Sequence, residues 1–342
     1  MTTLDAPRRR AVPARRLVWW TIAAAVLAAL VLLSILVGSN PIPPGDLWQA
    51  LLGDGGDEAR YVVWQQRLPR TLAGIVVGVA LGAAGALIQA FTRNPLADPG
   101  ILGVNAGAAF SVAVGIAFFG VTAPIGYVWL ACGGALVMTI VVYTIGGAGG
   151  ASADPVRLTL AGVAFGAVLS GLTTGIALTN PDTFDRMRGW NAGSLLERGV
   201  DVVLPVLPII LAGLVLAALA APALNSVALG RDVARSHGID VKRMTVVIIA
   251  ATTLLAGGAT AIAGPIGFVG LMVPHAVRWT IGVDQRHILA GSMIAAPILV
   301  LGADILGRIA VAPSEMPAGI VTAFVGAPVL IALVRRRKAS AL

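Results

Sequence analysis

Charged side chains are spaced too widely along this chain for it to fold in water. Intervals free of Asp, Glu, Lys and Arg run over 17–45, 71–92, 99–153, 158–181, 202–230, 244–277, 287–303 and 316–334. A bilayer crossing takes about 20 apolar residues, and most of these intervals reach that length. A soluble domain carries about 25% charged residues; this 342-residue chain has 12%, with 57% apolar residues and a mean hydropathy of +0.90. That leaves too little polar surface to cover a core. A soluble globular enzyme, a disordered chain and a collagen-like fibre are excluded. A β-barrel is disfavoured because the apolar residues run unbroken instead of alternating. The fold class that remains is all-α, a polytopic membrane protein.

The same intervals count the helices. The stretch 99–153 is long enough for two spans, broken near Gly120–Pro124, and 244–277 divides at Gly264-Pro265-Ile266-Gly267. Eight intervals, two of them doubled, predict ten transmembrane helices. The Gly264–Ile281 span is short and interrupted, because Pro265 and Pro274 both disturb a regular helix. Lys and Arg then set the orientation. With the N-terminus in the cytoplasm, 17 of the 24 basic residues fall inside, giving the inner face +11 and the outer face −3. Both basic termini lie inside, which needs an even number of spans. The expected layout is a basic tail (1–16), a membrane domain (17–334) with a cytoplasmic segment at 223–241, and a second basic tail (335–342).

The pI near 10.9 is spread over loop ends and tails, with no basic domain for a duplex, so a nucleic-acid partner is not expected. The first apolar run, Leu17–Val37, is longer than a signal-peptide core of 7–15 residues and more spans follow, so it is expected to remain as a helix. Cys132 is alone, which rules out an intramolecular disulfide, and His237, His275 and His287 are scattered, so no metal site is expected. The glycine-rich stretch Gly146–Ser152 has no Lys to reach a phosphate. There is no nucleophile elbow, no H-E-x-x-H, and no carboxylate pair at mid-membrane. The chain therefore shows neither nucleotide chemistry nor a proton relay. If it transports, the energy comes from another subunit.

Three features need a reason. The inner segment Leu224–Asp240 reads as two short helical stretches divided at Gly230 and closed at Gly238. It is either a solvated loop or an element that docks on a cytoplasmic partner. Arg67, Arg70 and Arg308 lie at the outer face, against the positive-inside bias. Arg308 can pair with Asp304 four residues earlier, and Arg67 and Arg70 can anchor headgroups. The alternative is a cationic rim that receives acidic side chains of an external protein. Gly74, Gly78 and Gly82 put small residues on one helix face, suited to close helix packing and, second, to a moving pathway. Gly100–Gly107 and Gly264–Gly270 share a loose Gly/Pro pattern that hints at an inverted repeat.

Four stretches in order carry a resemblance. They are Arg67-Leu-Pro-Arg-Thr-Leu-Ala-Gly74, Gln89–Gly107 (including Asn94, Pro95, Asp98 and Pro99), Gly264-Pro-Ile-Gly-Phe-Val-Gly-Leu-Met-Val-Pro-His275, and Gly326-Ala-Pro-Val-Leu-Ile331. The chain resembles the permease subunits of bacterial ABC importers for iron–siderophores, haem and cobalamin, and most of all the ferric enterobactin type. The resemblance implies a multi-pass protein of the bacterial inner membrane that moves its cargo by alternating access. It would be half of a membrane dimer, paired with a paralogue or with a second copy. It implies no cofactor on this chain; ATP and Mg would sit on two cytoplasmic ATPase subunits, and an extracytoplasmic binding protein would deliver the ferric siderophore. By position, Arg67, Arg70 and Arg308 match the family's docking arginines. Leu224, Val227, Leu229, Gly230, Arg231, Val233, Ala234, Arg235 and Gly238 match its coupling helices. Gly74, Gly78, Gly82, Asn94, Pro95, Asp98, Pro99, Gly264, Pro265 and Pro274 fall where helices pack or line the pathway.

Overall fold

Each apolar segment marked by the charge spacing carries a helix. The computed structural model describes residues 14–39, 42–54, 56–147 and 154–336, and among these there is no strand. The tails 1–13 and 337–342 and the glycine-rich residues 148–153 lie outside the described residues. The helices are α1 (Ala14–Leu36), α2 (Pro44–Leu52), α3 (Asp57–Tyr61), α4 (Leu68–Thr92), α5 (Val104–Phe119), α6 (Pro124–Gly146), α7 (Pro155–Thr179), α8 (Pro181–Asn191), α9 (Val200–Ala220), α10 (Leu224–Leu229), α11 (Arg231–Ser236), α12 (Val241–Ala263), α13 (Val269–Ile281), α14 (Gln285–Ala310) and α15 (Ala318–Arg336). A π-helical turn, Val62–Arg67, joins α3 to α4, and a 3-10 turn, Pro99–Leu102, precedes α5.

Local chemistry sets the helix starts. Proline stands in the first positions of α2, α4, α6, α7 and α8, where a missing N–H costs nothing. Asp154, Asn180, Asp240 and Asp284 each accept a backbone N–H at the entry of α7, α8, α12 and α14. Several of the chain's few carboxylates are thus caps.

Among the described residues, seven helical stretches are long and apolar enough to cross a membrane, and Val104–Phe119 and Ala318–Ala332 are shorter apolar ones. The segment expected to be irregular is so: Gly264–Phe268 has no helical structure, and α13 is only 13 residues, about 20 Å long. The first interval also divides. α1 stops at Leu36 and a separate α2 follows, while α1 takes in Arg15 and Arg16, which the charge ruler had assigned to the tail.

α4 and α12 form the centre, with most of their residues buried. α14 lies along α4, α6 and α9 lie on α12, and α5 touches both α6 and α7. The outward faces of α1, α7 and α9 carry Leu32, Leu160 and Leu204, all more than half exposed. An apolar solvent accepts that surface; water does not.

The α4–α14 contact depends on the glycine stripe. A Cβ on Gly74 would strike the Leu301 side chain, on Gly78 the backbone of Pro297, and on Gly82 the carbonyl of Ser292. Gly82→Val should therefore push the helices apart and cost about 1–3 kcal/mol, read as a lower thermal midpoint in detergent. Gly302→Ala, on α14 with open space around it, should leave the midpoint unchanged.

Candidate functional site

The C-terminal ends of α1 and α14 meet the N-terminal end of α4 at Asp304, which is 1% exposed. Arg70 reaches it with Nε, at 3.1 and 3.0 Å from the two oxygens, and with Nη2 at 2.7 Å. Arg308, one turn later on α14, donates to the same carboxylate from Nε at 3.1 Å and from Nη2. Arg70 Nη1 turns to Glu315 Oε2 at 2.6 Å, and Ser39 Oγ donates to the other oxygen of Glu315 at 2.7 Å.

The remaining donors cap a helix. The last carbonyls of a helix have no partner within it, and here arginines from other helices supply one. Arg308 Nη1 bonds the carbonyls of Ser34 and Val37 at 2.7 and 2.8 Å, and Arg67 Nη1 bonds those of Ile35 and Leu36 at 2.8 Å each. Ser34 Oγ pairs with Thr71 Oγ1 at 2.7 Å, and Thr71 bonds back to Arg67 O. A charge at the C-terminal end of a helix also meets its dipole favourably.

This arrangement differs from an open cationic rim. Arg67, Arg70 and Arg308 are 4%, 8% and 1% exposed, and their guanidinium groups engage the chain's own carboxylates and carbonyls. The intrahelical Asp304–Arg308 pair is present, but Asp304 is shared with Arg70 from α4. Sequence reasoning found Asp304 as the partner of Arg308 but missed Glu315, Ser39 and the share of Asp304 that Arg70 takes. The Asp-x-x-x-Arg spacing signals one pair; nothing in one sequence signals that Arg70, 234 residues away, takes the same carboxylate.

The turn between α4 and α5 holds the next group. Asn94 Oδ1 accepts Leu96 N–H at 3.0 Å, and Asp98 Oδ1 accepts Gly100 N–H at 2.8 Å. Burial pushes the Asp98 carboxyl above its ordinary range, and the Gly100 N–H draws it part of the way back. With Pro95 between them, these bonds fold the turn, and Pro99 seats against Gly270 of α13. Pro274 is buried within α13.

Two concave faces meet at Asn191 and Pro265. One, of 330 Å³, includes Asn105 and Ser170; the other, of 580 Å³, includes Ile320 and Phe324 of α15. Their shared corner is pinned: Gly264 has φ 72°, Ser194 N bonds Ala263 O at 2.7 Å, and Gly319 N bonds Gly193 O at 2.8 Å. Of these linings, sequence reasoning had picked out only Pro265.

Between α9 and α12, Gly230 (φ 123°) separates α10 from α11, and Gly238 (φ 75°) closes α11. Leu224 and Ala234 are buried, Val227 and Val233 half-buried, and Leu229 is 70% exposed. Arg231 follows Gly230, and Arg235 holds an exposed pair with Asp232 at 3.3 Å, worth little. Asn225 ties the segment to α14: it donates to Asp284 at 3.2 Å and accepts Gln285 N–H at 2.8 Å.

The outer cluster predicts its own sensitivity. Asp304→Asn strips the charge shared by two buried guanidinium groups and should cost about 3–5 kcal/mol, seen as a thermal midpoint far below wild type. Burial alone would raise the Glu315 carboxyl, but the Ser39 bond and the Arg70 charge hold it below the ordinary range. Its contribution is therefore full at neutral pH and disappears as pH falls through that lowered value. The stability margin of wild type over Glu315→Gln should close below about pH 4.

Known proteins share this architecture. The model of the FecCD transport family matches residues 26–336. The ferric enterobactin transport system permease protein of Escherichia coli (strain K12) is 50% identical over 306 residues, 89% of this chain and 91% of the relative. The hemin transport system permease protein of Yersinia pestis is 34% identical over 320 residues, 92% of this chain and 94% of the relative. A solved inward-facing ABC transporter assigned to the metal-chelate type superposes with a TM-score of 0.80 at 24% identity, over 94% of this chain and 99% of that one. That last likeness is one of fold. With a family model matched over most of its length and a relative half identical across the same region, the chain belongs to the FecCD transport family.

Proposed function

We propose that this chain is a permease subunit of an ATP-driven importer that carries ferric siderophores of the enterobactin class across a bacterial inner membrane. The observation that carries the reading is 50% identity, over 89% of the chain, to a ferric enterobactin permease. Haem and cobalamin importers are the second choice, since the hemin relative stands at 34% and a vitamin B12 relative at 36%.

In this reading the chain crosses ten times with both termini in the cytoplasm. The crossing at α13 is completed by Gly264–Phe268, an irregular stretch tolerable at that depth because it packs largely against protein. A second permease, a paralogue or another copy, pairs with this one. The faces that meet at Asn191 and Pro265 form one wall of the path between them, and their mixed apolar and amide lining suits a large chelate that must not be held tightly. Two ATPases, which bind ATP and Mg, seat on α10 and α11 with Leu229 as the inserted side chain. Closure of the ATPases moves that segment and, through Asn225, α14. A binding protein docks at the outer end, where its carboxylates exchange with Glu315 for Arg70 and recruit Arg67 and Arg308.

Three measurements test these assignments. Leu229→Asp should lower uptake and its coupling to ATP hydrolysis roughly ten-fold, from the loss of one buried leucine, with insertion unchanged; intact coupling would make the segment a mere linker. Glu315→Gln should tighten binding-protein affinity at physiological salt, and joint Glu substitution at Arg67, Arg70 and Arg308 should weaken it. Unchanged affinity in both sinks the docking assignment. Uptake that follows the proton gradient instead of a co-expressed ATPase would replace the importer reading with a secondary carrier.

A further inference from the structure

A groove of about 280 Å³ lies between α1, α13 and α14. Trp19, Ile22 and Val26 form one side, Ala276 and Thr280 a second, and Ile298 a third. From Trp19 to Val26 it follows two turns of α1, about 10 Å, so it is elongated along the helix. It offers an occupant almost no polar group. The one hydroxyl, on Thr280, turns back to the carbonyls of Ala276 and Val277 at 3.2 and 2.9 Å. Ile22 and Val26 remain 57% and 40% exposed in it.

One end of this groove is cationic. Arg15 and Arg16 stand in the first turn of α1, with Trp19 four and three residues on, so they share its face. Arg16 Nε bonds Ile281 O, the last carbonyl of α13, at 3.1 Å, which holds its guanidinium beside the groove mouth. The next carboxylate along the chain from α13, Asp284, is already taken up by Asn225 and the Arg286 N–H. The upstream sequence adds Arg8, Arg9 and Arg10; so basic a segment suits the headgroup side and not the apolar floor.

We propose that this groove binds one phospholipid with an anionic headgroup, an acyl chain lying along Trp19–Val26 and the phosphate at Arg15 and Arg16. Basic pockets between helices at the cytoplasmic side hold such headgroups. The leaflet depends on the orientation proposed above; the groove and its charged end do not. Bound there, the lipid fills the seam between peripheral α1 and the short α13, which α1 otherwise touches little.

Native mass spectrometry of the purified full chain, equilibrated with equal phosphatidylglycerol and phosphatidylcholine, tests this. Wild type should retain one phosphatidylglycerol in preference to phosphatidylcholine. Ala276→Trp, an exposed position that fills the groove, should remove retention of both. The Arg15→Gln and Arg16→Gln pair should lower the preference for phosphatidylglycerol about ten-fold and leave phosphatidylcholine retention unchanged. No preference in wild type, no retained lipid, or retention indifferent to both variants overturns the proposal. Labelling of Ala14→Cys by an impermeant maleimide reports orientation separately: reaction from outside refutes the proposed topology and leaves the groove intact.

Discussion

In hydrocarbon an apolar side chain gains little by leaving lipid for protein, so two helices stay together only if their backbones approach closely or polar groups join them. α4 and α14 use both means on one contact. Gly78 and Gly82 admit the backbone of α14, and at the outer end Arg70 grips Asp304. The other elements are arranged around this pair: α12 closes on α4, α13 is folded against both, and α1 leans on α14. If the stripe were filled, the arginine would lose its reach and the carboxylate would be stranded in a buried site.

α14 is tied at both ends to a candidate partner surface. Its N-terminus is bonded to Asn225 of the α10–α11 segment, and its last two turns carry Asp304 and Arg308. At 26 residues it spans about 39 Å. In the proposed importer this continuous helix joins the surfaces assigned to the ATPase and the binding protein.

Much of the helical order was legible from charge spacing alone, because carboxylates and arginines in such a chain are confined to helix ends. Asp154, Asp240 and Asp284 mark starts, and the breaks at Gly120–Pro124 and Gly264–Gly267 fall between helices. The same rule left open which way Arg67, Arg70 and Arg308 face. Charge position along the chain gives depth, but not whether a side chain faces outward. Arg67, Arg70 and Arg308 turn inward because the open carbonyls of α1 and the carboxylates of Asp304 and Glu315 lie within reach. Apart from Asp304, four residues before Arg308, those partners lie far away in sequence, so no local pattern announces them. The concave faces at Asn191 and Pro265 were unreadable for the same reason, being assembled from residues far apart in sequence.

The arginine capping of α1 has a consequence for biosynthesis. α1 is synthesised before the groups that bind its last carbonyls. Arg67 follows 31 and 32 residues behind the carbonyls it binds and arrives just ahead of α4. Arg308 follows 271 and 274 residues behind, so Ser34 and Val37 wait until α14 has been translated. α1 is thus locked long after it is made, and a ribosome stalled before position 308 would release a bundle in which that stave is still loose.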